Sequence, residues 1–444
     1  MSERELNRRE FQQTGLAASL AGAAVGGAIS AVSARAASAP SNKKRLGFIG
    51  VANRGGQVLD AFLTHPEVEV VALCDVYEPQ LMKVKQKLEG KPDTYEDFRR
   101  VLDRDDVDAV VIATPDHWHA VQMILACQAG KDVYVEKPLS ITIREGRRMV
   151  DAARKHNRVV QVGTHRRSST LYAELAGVIA AGTIGKVTVA RAYRLSNMYP
   201  DGIGKAAPSE PPAGLNWDWW LGPRPARAYQ ATIAPYKFRW WDPYSSQMAN
   251  WGVHYLDAIR WITGDEAPAS VSAHGGRFVI DDDRTVPDTL ETTFEFASGR
   301  LVTFGQYEAS GNPALRSGDI ELRGTQGTAY IGDRGYEIVP ERGGQFQQSD
   351  PRMSPIKVSG RDGDMTAQHA RNFLDCMVSR DKPNADVEIG HRSTTMSLLA
   401  NIALATQARL DWDATAERVT NNEAANELLD YEYREPWRSI QVQS

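Results

Sequence analysis

The chain reads as an α/β protein: a doubly wound parallel sheet comes first, followed by an α+β region with a large open, mainly antiparallel sheet. Three observations predict this. From Lys43 to about residue 165, short apolar runs alternate with stretches of helical spacing, the pattern of βαβ units. The first run ends in a small-residue turn that opens a helix, and the second ends in an acid. Beyond residue 166 the spacing changes to period-two runs separated by Gly, Asp and Asn turns, as antiparallel strands require.

The 444 residues are enough for two or three domains, and we expect boundaries at 43–165 and 166–444. The formal charge is −4 with no basic block, so a nucleic-acid partner is not expected. Cys74, Cys127 and Cys376 are too few and too scattered for a disulfide framework. The expected partner is a small molecule.

Residues 1–36 read as an address rather than as fold. Arg8-Arg9 precede an uncharged Ala/Gly/Ser run from Thr14 to Ala34, and Ala34-Arg35-Ala36 suits a signal peptidase cutting after Ala36. Paired arginines before a weakly apolar stretch predict a twin-arginine export signal, hence a periplasmic or other extracytoplasmic protein with no membrane span in its mature form. The alternative, an anchor, is disfavoured because Ala and Gly bury weakly in lipid.

The elements follow in order. Leu46–Gly50 is a strand, and Gly55-Gly56 open a helix with Val58, Leu59, Phe62 and Leu63 on one face. Val68–Cys74, Val107–Ala113 and Asp132–Val135 are further buried strands, and Val159–Gly163 a sixth or edge strand. Thr142-Ile143-Arg144-Glu145 is a capping box opening a helix through Lys155. Ser270–Ala273, Thr289–Phe296, Arg300–Phe304, Gly318–Leu322 and Ala329–Ile331 are the antiparallel runs, and a helix near 391–410 is expected to pack back on the first domain.

In such a sheet the first strand-to-helix turn binds pyrophosphate. Here it is G-x-A-x-x-G, formed by Gly50, Ala52, Asn53, Arg54 and Gly55; small residues allow close backbone approach, and the helix N-terminus offers unpaired N–H groups. Asp75, 20 residues after Gly55, is placed to accept from two ribose hydroxyls and to repel a 2′-phosphate, which favours NAD over NADP. It also suits a helix N-cap. Thr114-Pro115-Asp116-His117-Trp118-His119 and Glu136-Lys137-Pro138 end two later strands on the same rim. Six of the ten tryptophans fall between Trp217 and Trp251, suited to sugar stacking or, for most of them, to a packed lid. A metal bound by His117, His119 and His165 or His254 is not expected, because no carboxylate or cysteine cluster accompanies them.

Taken in order, the G-x-A-x-x-G turn, Thr114-Pro115 with His119, Glu136-Lys137-Pro138, and Trp251-Gly252-Val253-His254-Tyr255-Leu256-Asp257 resemble the Gfo/Idh/MocA oxidoreductases. That family includes glucose–fructose oxidoreductase and inositol dehydrogenase. Gly163–Ser169 and Gly390–Ser393 resemble its exported, twin-arginine branch. The resemblance implies an NAD-binding Rossmann domain followed by an open sheet that covers the nicotinamide and often makes dimers or tetramers.

It also implies an NAD(P)-dependent oxidoreductase acting on a sugar or polyol. His254 would remove a hydroxyl proton as hydride leaves, and Lys137 would hold the substrate oxygen. The cofactor set is the turn residues with Asp75, Thr114, Pro115, His119, Glu136, Lys137 and His165, and the substrate set is Arg166, Lys237, Asn250 and His254. Many relatives have Asp where this chain has Asn250, and Asp257 is the alternative group to orient His254. Two alternatives are an NAD-dependent glycosidase, against which Lys137 argues, and a cofactor-bound sugar-binding protein without turnover.

Overall fold

The computed structural model describes residues 43–360 and 363–443; the expected export segment 1–36 lies outside them. The first sheet has six parallel strands: β1 (Lys44–Ile49), β2 (Val68–Cys74), β3 (Asp93–Tyr95), β4 (Ala109–Ile112), β5 (Asp132–Val135) and β6 (Val160–Val162). Their order is β3-β2-β1-β4-β5-β6. The short β3 was not expected, so the run at Val107–Ala113 supplies the fourth strand. Helices α1 (Arg54–Leu63), α2 (Glu78–Lys87), α3 (Arg99–Leu102), α4 (His119–Gln128) and α5 (Ile143–Lys155) connect the strands. Both bonds of the α5 capping box form, between Thr142 and Glu145. Strand order reverses between β1 and β4, and a crevice opens at their carboxyl ends.

The second sheet is mixed and mostly antiparallel. It comprises β7 (Val187–Leu195), β8 (Ser270–Gly276), β9 (Thr289–Glu295), β10 (Leu301–Tyr307), β11 (Ile320–Gly324), β12 (Gly327–Gly332), β13 (Gly335–Pro340), β14 (Ile356–Ser359), β15 (Leu410–Asp413) and β16 (Arg418–Val419). The order is β14-β13-β12-β11-β7-β10-β9-β8-β15-β16, and β7 runs parallel to β10. Alternate residues such as Leu290, Thr292 and Phe294 are buried on one face. That face packs on α6 (Thr170–Ala180) and α8 (Val253–Thr263), while α7 (Trp217–Leu221) belongs to the covering loop. Each fully buried Phe or Leu there contributes roughly 1.5–3 kcal/mol.

Two later helices return to the first sheet. α9 (Met365–Ser379) sets Phe373 edge-on against Phe62 and Tyr134, both at 6.1 Å. α10 (Val387–Thr406) has two partners: its first turn lies on β6, where a Cβ on Gly390 would fall 2.4 Å from Val162, and its second half joins the core under the second sheet. The first domain is therefore completed by segments far along the chain. No helix among the described residues is long and apolar enough to cross a membrane.

Candidate active site

The turn after β1 is built for close approach. Gly50 has φ +83°, and a Cβ on it would fall 2.7 Å from the Ala113 and Thr114 backbone. A Cβ on Gly55 would fall 2.1 Å from the Gly50 carbonyl oxygen. The remaining positive φ falls on Asn53 (39°), not on Ala52, so alanine fits where a third glycine was the alternative. α1 begins with no side-chain cap and no acid in its first turn, leaving its N-terminal amides for an anion. Asp75 accepts from Val51 N and Tyr77 N, each at 3.0 Å. Burial pushes its carboxyl above the usual range, and these amide bonds oppose the shift.

A cleft runs from this turn between the first domain and the loop that covers it. Gly50, Ala52, Asn53, Arg54, Asp75, Thr114 and Pro115 line one wall. Leu215, Trp219, Trp220, Tyr236, Phe238 and Arg239 line the other. The covering wall is tied down: Trp118 Nε1 donates to the carbonyls of Trp219 and Trp220, both at 3.1 Å, and His117 Nε2 lies 2.9 Å from the latter. Trp217 stacks on Trp220 at 4.8 Å. The close-approach turn, the uncapped α1 and the Asp75 carboxylate fit a dinucleotide, with its phosphates at α1 and a ribose at Asp75.

The cleft opens into a chamber lined by Asp116, Glu136, Lys137, His165, Asn250, Trp251 and His254, with Asn53, Arg54, Ala113, Thr114, Tyr236 and Arg239 shared between the two. Lys137 follows β5 across a cis peptide to Pro138. Its Nζ donates to Asn250 Oδ1 (2.8 Å) and to the Asn250 carbonyl (3.1 Å). Burial lowers its pKa to about 8, against the opposing pull of Glu136. A one-turn π-helix, Met248–Gly252, carries Asn250 into this position, and α8 follows with His254; such turns recur at functional sites.

Among the described residues the His254 ring has no hydrogen-bond partner, and it lies edge-on to His165 at 5.3 Å. Burial, then the Lys137 charge, hold His254 well below the usual imidazole range, so it is neutral. His165 is lowered likewise, chiefly by burial, and its Nδ1 is buried without a partner. Glu136 pairs with Arg54 at 2.8 Å; burial alone would raise its carboxyl, but Arg54 and Lys137 hold it below the usual range. Asp116, which sequence reasoning passed over, accepts from Ser245 Oγ, and burial raises its carboxyl. Its position at the carboxyl end of β4 was the signal that could have marked it.

Several expected site residues are engaged elsewhere. His119 is fully buried; its ring nitrogens lie 2.8 Å from Pro138 O and 3.0 Å from Thr114 O, so it braces the two rim segments and faces no ligand. Arg166 stacks on Tyr255 (4.6 Å) and Tyr172 and points to Asp319 (3.4 Å), beneath the second sheet and outside the chamber. Lys237 gives its ammonium to Ile203 O at 2.6 Å. Asp257 pairs with Arg167 at 2.9 Å and accepts from Ser393 Oγ at 2.6 Å, so it does not orient His254. Of the six clustered tryptophans, Trp251 alone lines the chamber; Trp219 and Trp220 wall the cleft. Among the described residues no three His, Cys, Asp or Glu side chains converge as metal ligands.

Comparison with known proteins fits this geometry. Three family models match in succession. They are an oxidoreductase-family NAD-binding Rossmann fold over residues 44–164, a Gfo/Idh/MocA C-terminal domain over 215–330, and an oxidoreductase-family C-terminal α/β domain over 346–439. The chain belongs to the Gfo/Idh/MocA family. It carries that family's NAD-binding Rossmann domain and two-sheet fold. Levoglucosan dehydrogenase, solved with NADH and levoglucosan, shares the fold with TM-score 0.64 and 19% identity, over 83% of this chain and 99% of that one. Aldose–aldose oxidoreductase from Caulobacter crescentus, solved with glycerol, gives 0.62 and 17% over 83% and 99%. An α-N-acetylgalactosaminidase from Shewanella oneidensis is 38% identical over 120 residues, 25% of this chain and 26% of that enzyme. That match spans only about a quarter of the relative.

Proposed function

We propose that this oxidoreductase moves hydride between a sugar or polyol carbon and tightly held NAD in a redox-neutral cycle. The observation that carries the reading is the pairing of Lys137, with two of its N–H bonds committed, and His254, with a partnerless ring, in the chamber beside the cleft that begins at the small-residue turn. Nicotinamide bound there supplies the hydride acceptor and donor. The chain supplies the proton chemistry.

Lys137 Nζ spends one tetrahedral direction on its own side chain and two on Asn250, which leaves one N–H for a substrate oxygen. That donor stabilises the alkoxide that develops as hydride leaves. Neutral His254 has a lone pair to take the hydroxyl proton, and it returns the proton when the carbonyl is reduced. Trp251, whose ring lies 3.8 Å from the Arg194 guanidinium, offers an apolar face to the substrate. Asp75 disfavours a 2′-phosphate and so favours NAD over NADP.

The tied-down wall of Trp219 and Trp220 supports retention of the cofactor. Retention agrees with an exported, extracytoplasmic enzyme, where no free nicotinamide pool is at hand. The open second sheet supports assembly into a dimer or tetramer. One further reading has an observation of its own: the α-N-acetylgalactosaminidase match favours glycoside cleavage through transient oxidation. A panel of free sugars and nitrophenyl glycosides offered to the purified holo-protein tests both. Reduction of the bound nicotinamide by a free sugar supports the first reading, and release of nitrophenol without net reduction supports the second.

A further inference from the structure

Glu308 follows β10 and lines neither the cleft nor the chamber, yet hydrogen bonds join it to Lys137 without a break. Lys137 Nζ donates to Asn250 Oδ1 (2.8 Å), Asn250 Nδ2 donates to Gln247 Oε1 (3.1 Å), and Gln247 Nε2 donates to Glu308 Oε1 (3.1 Å). At the far end Glu308 accepts from Trp240 Nε1 (3.1 and 2.9 Å) and from Arg284 Nη1 (2.5 Å). Arg284 is fully buried and paired with Asp282 at 2.8 Å. Asn250, Gln247 and Glu308 are buried as well.

The polarity of this chain is forced from both ends. Ammonium, indole N–H and guanidinium only donate; burial raises the Glu308 carboxyl, but its pairing with Arg284 keeps it a carboxylate that accepts on every side, and Lys137 needs an acceptor. Each amide between them has one accepting and one donating end. A single orientation of Gln247 and Asn250 satisfies both ends, and it turns the Asn250 carbonyl oxygen toward Lys137.

We propose that Glu308 is a positioning residue for hydride transfer, acting through Gln247 and Asn250 to keep an acceptor on Lys137 and so aim its remaining N–H at the substrate. The proposal rests on the reading of Lys137 as the substrate-oxygen donor. It also accounts for asparagine at position 250. With Glu308 in place, a carboxylate at that position would leave Gln247 between two acceptors, and its single donating end could serve only one of them.

Substitutions follow from the same logic. In Glu308→Gln an amide N–H₂ must face either Gln247 Nε2 or the Arg284–Trp240 donors. Relieving the first conflict flips both amides and turns Asn250 Nδ2 onto the ammonium. In Asn250→Asp, two acceptors flank Gln247. The double variant restores a consistent chain of reversed polarity: the carboxylate introduced by Asn250→Asp accepts from Lys137 and from Gln247 Nε2, and Gln247 Oε1 accepts from the amide introduced by Glu308→Gln.

The test reads the Lys137 ammonium itself. Competitive labelling with acetic anhydride across pH, followed by mass spectrometry of the peptide that carries Lys137, gives the pH at which its proton is lost. In the wild type this should fall near 8. Asp116, Glu136, Arg54, Arg239, His165 and His254 face the same group and remain unchanged in every variant. Glu308→Gln should lower the midpoint by about one unit and reduce kcat/KM about tenfold or more at neutral pH. Adding Asn250→Asp should return the midpoint to the wild-type value or above, with more activity than the product of the single effects. Gln247→Met, which breaks the chain at its middle, should shift the midpoint down as Glu308→Gln does, and it serves if the latter fails to fold. A folded Glu308→Gln or Gln247→Met protein with the wild-type midpoint, or purely additive single effects, overturns the proposal. Labelling needs no turnover, so a fully active Lys137→Ala enzyme would remove the catalytic reading while leaving the chain itself intact.

Discussion

Replacing Asp75 with Ser tests the assignment of the ribose site, and its effects can be worked from the contacts of one carboxylate. Asp75 lines the cleft and accepts two backbone N–H groups at 3.0 Å, from Val51 and Tyr77. Losing a charged acceptor for ribose hydroxyls should weaken NAD by about 2 kcal/mol, roughly thirtyfold in Kd. Removing a carboxylate near a 2′-phosphate relieves a repulsion of about 2–3 kcal/mol at protein-surface dielectric. The ratio of NAD to NADP affinity should therefore fall by roughly 10³–10⁴-fold. Orphaning the two amides should cost about 1–3 kcal/mol of stability, visible as a lowered Tm. The assay is fluorescence titration of nucleotide-stripped protein with each dinucleotide at one salt concentration. A wild type that binds NADP more tightly, or a variant with an unchanged ratio, would refute the reasoning.

Lys137→Ala and His254→Ala should each slow hydride transfer by about 10²–10⁴-fold without emptying the cofactor site, as read by single-turnover absorbance of the bound nicotinamide. The protonated Lys137 that the mechanism needs is present below its folded pKa of about 8. The kcat/KM profile should therefore be flat toward neutral pH and fall as pH rises through that value, and Lys137→Arg should lose this alkaline limb whatever its residual rate. Trp118→Leu removes the indole N–H that holds the Trp219 and Trp220 carbonyls; NAD dissociation measured by stopped flow should accelerate about tenfold, and an unchanged rate would discount the wall as a clamp.

The parts of the site that were legible in the sequence are those fixed by local backbone geometry. Gly50 and Gly55 are small because their neighbours leave no room for a Cβ, and Asp75 and Lys137 lie at strand ends where spacing places them on the rim, whereas His254 was legible through the resemblance. Arg166 and Lys237 looked equally available, but each is spent on a partner distant in sequence: Asp319 and Ile203. A one-dimensional pattern carries no sign of such pairings. α9 did carry a signal that went unused, with Asp364 capping a helix whose Phe373, Leu374 and Met377 recur on one face. Asn250 was visible as a departure from many relatives, but its meaning depends on Glu308, 58 residues on, and on the amide between them.

The central claim, a sugar oxidoreductase that keeps its nicotinamide through a closed cycle, is tested most directly by analysing the mature protein purified without added nucleotide. Denatured samples should release close to one NAD(H) per chain, and the native protein should turn over a sugar pair or a single glycoside with no NAD supplied. Retention at micromolar protein requires binding of roughly −10 kcal/mol or better. Protein that emerges empty and works only with millimolar NAD would contradict the account.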